Sequence, residues 1–165
     1  MTDTAHPRFF WQFPMQLVRH ARLDEFLPDD GRLRILFLWG KDCPNCDIAK
    51  GQMLLAQERF RWPDVDWLHD NVYEDAAMGT HFGLHGIPAF LVFRGARKLG
   101  RIGQWPGTEA FVAAIEKLRA AARGLNARGR AAACLAAARE GRSGGEVCAG
   151  PRPPPCSTPP PSPPT

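Results

Sequence analysis

The chain has 165 residues, of which 44% are hydrophobic, and this length and composition predict one domain with one ordinary core. Residues 126–165 carry five arginines and two glutamates, so most of the formal charge of +4 belongs to the end of the chain and the rest is nearly neutral. With no basic stripe and no run of about 20 apolar residues, we expect neither nucleic-acid binding nor a membrane span.

The first strong local pattern is the continuous apolar run Arg34–Trp39, which predicts a strand buried on both faces. A helix and another strand are expected before it, within Met15–Leu27. Directly after the run, Pro44 suits the first turn of a helix, because the backbone N–H that proline lacks would have no partner there. Apolar residues then recur at helical spacing as far as Phe60.

A second strand and a short helix follow. Val65–Leu68 is predicted to be a buried strand, and Asp75–Phe82 a helix that Gly83 closes, so the order of elements predicts a parallel crossover. Ala89–Phe93 and Lys98–Ile102 flank a short turn, which predicts an antiparallel hairpin. The expected fold class is α/β, with a mixed central sheet flanked by helices.

The last predicted helix is capped by Thr108 and ends before Gly124. All Phe and Trp residues lie within residues 1–111, and nine of the last fifteen residues are proline, a composition that does not form a packed core. We therefore expect a folded domain over residues 1–124 and a disordered Ala/Arg/Pro-rich tail over residues 125–165. The Ala, Arg, Gly and Pro content of the tail is typical of a flexible extension or of a gene translated in a shifted reading frame.

The cysteines indicate redox chemistry rather than a disulfide framework. The first residues contain no basic stretch before an apolar run, so they do not resemble a secretory signal, and we expect a cytoplasmic, reducing location. Five cysteines in that compartment rarely form structural disulfides, and an odd number cannot all pair within one molecule. Cys43 and Cys46 lie in the predicted core region, whereas the others lie in the tail, at Cys134, Cys148 and Cys156.

A CxxC pair between a strand and a helix has a specific chemical use. Unpaired backbone N–H groups and the helix dipole lower the pKa of a thiol at a helix N-terminus from about 8.5, so Cys43 is expected to be the attacking thiolate. Cys46, one turn later, can resolve the mixed disulfide. Two buried cysteines that pack as small apolar groups are the alternative, which Pro44 between them makes weaker.

A structural zinc site would need two more ligands near the cysteine pair. The sequence has no second CxxC pair. The histidines in the predicted domain core also form no paired ligand motif; they are His69, His81 and His85. We therefore expect no metal and no cofactor.

Two segments of the chain resemble thioredoxins. Residues 39–46, WGKDCPNC, resemble the thioredoxin active-site loop, and residues 82–93, FGLHGIPAFLVF, resemble the segment around the thioredoxin cis-proline. The resemblance covers about residues 30–122. It implies a thioredoxin fold and thiol-disulfide oxidoreductase activity.

The resemblance also implies roles for residues near the cysteines. Pro88 would be cis, although a plain proline at the entry of a strand is the alternative. The backbone of Ile87 would pair with an extended substrate segment beside Cys43. Apart from the resemblance, Trp39 is a candidate for an apolar surface that binds partners, although an aromatic residue at such a position is more often part of the core.

Several positions depart from the thioredoxin pattern. Pro44-Asn45 replaces Gly-Pro between the cysteines, Asp42 replaces the preceding Trp, and Phe37 replaces the buried Asp that assists proton transfer from the resolving cysteine. His69 falls where thioredoxins keep a Lys near that Asp, so His69 is a candidate proton relay, although a lone His at the end of a strand is more often a hydrogen-bonded surface group.

The sequence therefore predicts a monomeric enzyme that reduces protein disulfides by dithiol-disulfide exchange and contributes to electron transport and cell redox homeostasis. Its expected partners are protein disulfide substrates and a thiol reductant or a thioredoxin-reductase-like enzyme. The first alternative is a thioredoxin-fold binding or assembly module that is dedicated to one partner. The second, suggested by the Pro-first dipeptide, is an oxidant or isomerase of an oxidising compartment.

Overall fold

The computed structural model describes the backbone of residues 6–139 and the side chains of residues 6–124. The chain divides into two units, residues 1–125 and residues 126–165. In chain order the described elements are α1 (Phe9–Gln12), β1 (Gln16–Leu17), a 3₁₀ helix (His20–Phe26), β2 (Leu33–Trp39), α2 (Pro44–Leu55), a second 3₁₀ helix (Gln57–Phe60), β3 (Val65–Asn71), α3 (Ala76–His81), β4 (Ala89–Arg94), β5 (Arg97–Gly103) and α4 (Thr108–Arg139).

The five described strands form one mixed sheet in the order β1-β3-β2-β4-β5. β2 lies at its centre, parallel to β3 and antiparallel to β4, and the first six residues of β2 are buried. A strand with a neighbour on each side and a core on each face needs an almost continuous apolar sequence, and β2 has one. The expected fold class, a mixed sheet flanked by helices, is confirmed.

Successive residues of β2 point into two different cores, as the period of a strand requires. Ile35 and Phe37 face the larger core, which α2 and α4 cover, whereas Leu36 and Leu38 face a smaller core, which α3 covers. Each of these four side chains is fully buried, and burial of a side chain of this size stabilises the fold by roughly 1.5–3 kcal/mol. The sheet is thereby held rigidly between two layers.

The segment before β2 contains the helix and the strand that were expected within Met15–Leu27. The structure has β1 first and a 3₁₀ helix after it, with α1 in front of both. α1 has four residues and β1 has two, which is too short for a hydrophobic period to be recognised. α1 forms because Phe9 and Phe13 stack on each other and extend the larger core.

The last helix is longer than predicted. α4 continues through Gly124 to Arg139, so the expected end before Gly124 was wrong, and the first part of the predicted tail, residues 125–139, has a helical backbone. A glycine inside a helix costs only about 1 kcal/mol relative to alanine, and the alanines and arginines that follow favour the helix. Thr108 is the first residue of α4 rather than its cap. The rest of the predicted disordered tail, beyond Arg139, lies outside the described residues.

The hairpin of β4 and β5 is antiparallel as predicted, and it turns at Gly95, whose φ is +55°. β5 forms one edge of the described sheet, and its exposed side chains include Arg97, Lys98 and Arg101. The opposite edge is β1, which has only two residues. Neither edge of the sheet is therefore a long apolar strand.

Candidate active site

The cysteine pair lies where β2 ends and α2 begins. Cys43 is the residue that caps α2, and its Sγ accepts a hydrogen bond from the backbone N–H of Cys46 at 3.2 Å. Pro44 occupies the first turn of the helix, as predicted from its missing N–H. The two cysteines form a disulfide, with their Cα atoms 5.2 Å apart. An N–H group at the helix terminus thus points at the sulfur that would carry the negative charge of a thiolate.

The two sulfurs differ in their access to solvent. Cys43 keeps 8% of its surface exposed, whereas Cys46 has none. A substrate disulfide that approaches this end of the sheet therefore meets Cys43 first. Cys46, which is bonded to Cys43 Sγ, is closed to such a substrate.

The loop before β4 lies against the cysteines, as the resemblance implied. The peptide bond between Ile87 and Pro88 is cis, and the backbone carbonyl oxygen of Ile87 lies 3.9 Å from Cys43 Sγ. The carbonyl of Pro88 accepts a hydrogen bond from the backbone N–H of Gln104 at 2.9 Å, which joins this loop to the end of β5. The backbone of Ile87 is thus held beside the more accessible sulfur.

Gly40 allows two other side chains to approach the site. A Cβ at this position would lie 2.6 Å from Ile87 Cδ1 and 2.6 Å from the ring of Tyr73. Tyr73 is 67% exposed, and together with Ile87 and Leu84 it lines an open groove of about 520 Å³. Gly40 and Tyr73 were not predicted to belong to the site, because their proximity depends on how two loops meet.

Trp39 and His69 are joined beneath the active-site loop. Trp39 Nε1 donates a hydrogen bond to Nδ1 of His69 at 3.2 Å, and His69 is paired with Phe37 across β2 and β3. His69 is buried and stacks on Phe10 with a distance of 3.8 Å between ring centroids. Its burial, aided by the charges of nearby cations, lowers the pKa of His69 to about 4. The imidazole is therefore neutral at pH 7, with Nδ1 as an acceptor.

A buried lysine that the sequence analysis did not single out lies near this pair. Lys50 is only 1% exposed, and its Nζ lies 3.8 Å from the ring centroid of Trp39 and 3.9 Å from Oδ1 of Asp47. Burial lowers the pKa of Lys50 to about 8, against the opposing effect of Asp47. The sequence feature that could have identified Lys50 as buried is its helical spacing. Lys50 shares the buried face of α2 with Cys46, Ala49 and Met53.

Phe37 occupies the central strand at the position where the resemblance would place a carboxylate. It is fully buried and stacks on Phe90 with 4.8 Å between ring centroids. The side chain at position 37 therefore cannot accept or donate a proton. The departure seen in the sequence is thus a real change in the chemistry of the core below the cysteines.

Comparison with known proteins supports the resemblance at low sequence identity. No protein-family model matches the chain. Thioredoxin-like protein YusE of Bacillus subtilis is 25% identical over 87 residues, which cover 53% of this chain and 77% of that protein.

Solved thioredoxins have the same arrangement of strands and helices. The thioredoxin of Malassezia sympodialis superposes with a TM-score of 0.53 at 16% identity, over 62% of this chain and 89% of its own. Mitochondrial thioredoxin 3 of Saccharomyces cerevisiae, in its oxidised form, superposes with a TM-score of 0.54 at 12% identity, over 64% of this chain and 97% of its own. The chain has the thioredoxin fold. Its cysteine spacing fits the thioredoxin-like active site, and its departures from the thioredoxin pattern are Phe37, Asp42 and the Pro44-Asn45 dipeptide.

Two negative findings concern the described part of the chain. Among residues 6–124, whose side chains the structure describes, no group of three or more His, Cys, Asp or Glu is arranged to hold a metal ion. Among the helices described within residues 6–139, none combines the length and the apolar character needed to cross a membrane.

Proposed function

We propose that the protein is a thiol-disulfide oxidoreductase that reduces protein disulfides, with Cys43 as the nucleophile and Cys46 as the resolving cysteine. The observation that carries this proposal is the position of Cys43 Sγ. It accepts an N–H from the start of α2, it is the more exposed of the two sulfurs, and it lies 3.9 Å from the carbonyl oxygen of Ile87.

The exchange takes place in two steps. The Cys43 thiolate attacks one sulfur of the substrate disulfide, whose S–S bond breaks, and the other substrate sulfur leaves as a thiolate and takes up a proton. Cys46 then attacks Cys43 Sγ, and the second substrate sulfur leaves. The products are a dithiol substrate and the Cys43–Cys46 disulfide. A thiol reductant or a thioredoxin-reductase-like enzyme supplies the two electrons that restore the dithiol.

The substrate lies along the loop before β4. An extended segment of the client protein pairs with the backbone of Ile87, and this positions its disulfide beside Cys43. Pro88 supports that conformation of the loop. Trp39 supports the active-site loop from below, because its indole is fixed by hydrogen bonding to His69. In this proposal the protein acts as a cytoplasmic monomer in electron transport and cell redox homeostasis.

A second candidate is a binding or assembly module that is dedicated to one partner. The observation that favours it is that Phe37 and Asp42 stand where the thioredoxin pattern has a buried Asp and a Trp. The resemblance implies that the buried Asp assists general reductase activity. Such a module would hold its partner at the same loop and would turn over slowly.

Reduction of insulin disulfides with dithiothreitol as the electron donor separates the two candidates. We expect turnover by the native chain and none by Cys43→Ser, with Cys148→Ser as a control for the same substitution in the predicted tail. Absence of turnover in a folded, reduced sample would refute the reductase. Cys46→Ser would then be used to trap the partner as a mixed disulfide.

A further inference from the structure

The resolving step needs a proton acceptor, and this requirement rests on the proposed function. Cys46 has no exposed surface, so water cannot take its proton directly. Phe37 provides no acceptor on the central strand. If Cys46 resolves mixed disulfides at neutral pH, another buried group must receive its proton.

Lys50 lies where such a group is needed. Side chains at i and i+4 lie one above the other on the same face of a helix, so Lys50 is the neighbour of Cys46 one turn further along α2. Both residues belong to the buried face of that helix. The ring of Trp39, 3.8 Å from Lys50 Nζ, covers the amine on the side of the sheet.

The charged and titratable groups around Lys50 come from three elements. On α2 itself, Asp47 is the partner at 3.9 Å. β3 contributes His69, which is neutral and whose Nδ1 is already occupied by the Trp39 N–H. From the N-terminal segment, His6 lies close to Gly51, the residue after Lys50. With a pKa near 8, about one lysine in ten is an uncharged amine at pH 7.

We propose that Lys50 accepts the proton of Cys46 in the resolving step. The thiol proton moves to the uncharged amine, which becomes an ammonium. The Cys46 thiolate then forms a bond to Cys43 Sγ, and the bond between Cys43 and the substrate breaks. The substrate sulfur leaves with the electron pair and takes a proton, either from solvent or from the Lys50 ammonium. In this mechanism Lys50 takes the relay role that the sequence analysis assigned to His69.

A single-turnover reaction with 5,5′-dithiobis(2-nitrobenzoate) measures the two steps separately. The oxidised chain is first treated with N-ethylmaleimide, which blocks the cysteines outside the pair, and the pair is then reduced. Attack by Cys43 releases one thionitrobenzoate, and resolution by Cys46 releases a second. Cys46→Ser should release only the first, which assigns the two phases.

Lys50→Met removes the amine and keeps the length of the side chain. We expect it to slow the second phase by about 100-fold, the lower end of the range for a lost general base. The native rate should level off above about pH 8, whereas the variant should continue to accelerate as direct ionisation of the thiol takes over. Lys117→Met, the same change at an exposed position of α4, is the matched control and should show the native second phase.

Two results would overturn the proposal. One is a second phase in Lys50→Met with the native rate and pH profile. The other is recovery of the native rate in Lys50→Arg, because a guanidinium carries the charge but cannot accept a proton. Absence of the first phase in the native chain would instead refute the proposed function, so the two failures are distinguishable.

Discussion

Replacement of Lys50 by Met should stabilise the folded protein at neutral pH. The side chain is 1% exposed, and its folded pKa of about 8 lies well below the ordinary value of 10.5. Below pH 8 the folded state holds a desolvated ammonium that the unfolded chain keeps in water. The difference in pKa corresponds to a cost of about 3 kcal/mol. Lys50→Met removes this cost, so its free energy of unfolding at pH 7 should be higher by up to that amount.

The pH dependence identifies the cause. Between about pH 8 and 10.5 the unfolded native chain binds more protons than the folded chain, so the stability of the native protein rises with pH over this window. The advantage of Lys50→Met should therefore shrink from pH 8 and vanish near pH 10.5. Urea unfolding of the oxidised proteins at several pH values measures it, with Lys117→Met as the control. A variant less stable than the native chain at pH 7, or a difference independent of pH, would refute this reasoning.

Two further predictions concern other parts of the domain. Asp70 is fully buried with a hydrogen bond from Arg19 at 3.0 Å, and burial raises its pKa to about 7, so its contribution to native stability should fall as pH rises from about 4 to 7. His69, with its lowered pKa, contributes in the opposite direction over nearly the same range, so the effect of Asp70 is measured by difference. In urea unfolding, the stability of the native chain minus that of Asp70→Asn should fall over this window, and a difference independent of pH would contradict the assignment. Gly40→Ala should displace Ile87 and slow insulin reduction by up to about 100-fold, the cost of roughly 1 Å of misplacement. A native rate with unchanged stability would show that Ile87 does not position the substrate.

The central part of the fold could be predicted because its patterns are long and agree with one another. β2 was visible as a continuous apolar run, and the CxxC pair that follows it marked the start of α2. The resemblance to thioredoxins implied that His69 lies near position 37, and the strand pairing of Phe37 with His69 confirms this. These features depend on local sequence and on one regular register.

The features that were missed depend on tertiary packing. A lysine on a helix is usually solvated, so the helical spacing of Lys50 was not read as burial, and its cover by Trp39 and Phe10 is a tertiary contact. The length of α4 was missed because a single glycine was treated as a stop. The contact of Gly40 with Tyr73 joins two loops whose conformations no periodic pattern describes.

The edges of the sheet affect how the protein behaves at high concentration. An exposed edge strand is a template on which a second copy can add its own strand, which begins aggregation. At the β5 edge, such an addition would bring Arg97, Lys98 and Arg101 of two molecules together, and their like charges would repel. The β1 edge offers too few backbone groups to hold a partner strand. Among the described residues, the backbone pairing with client segments that we propose is therefore confined to the loop beside Cys43.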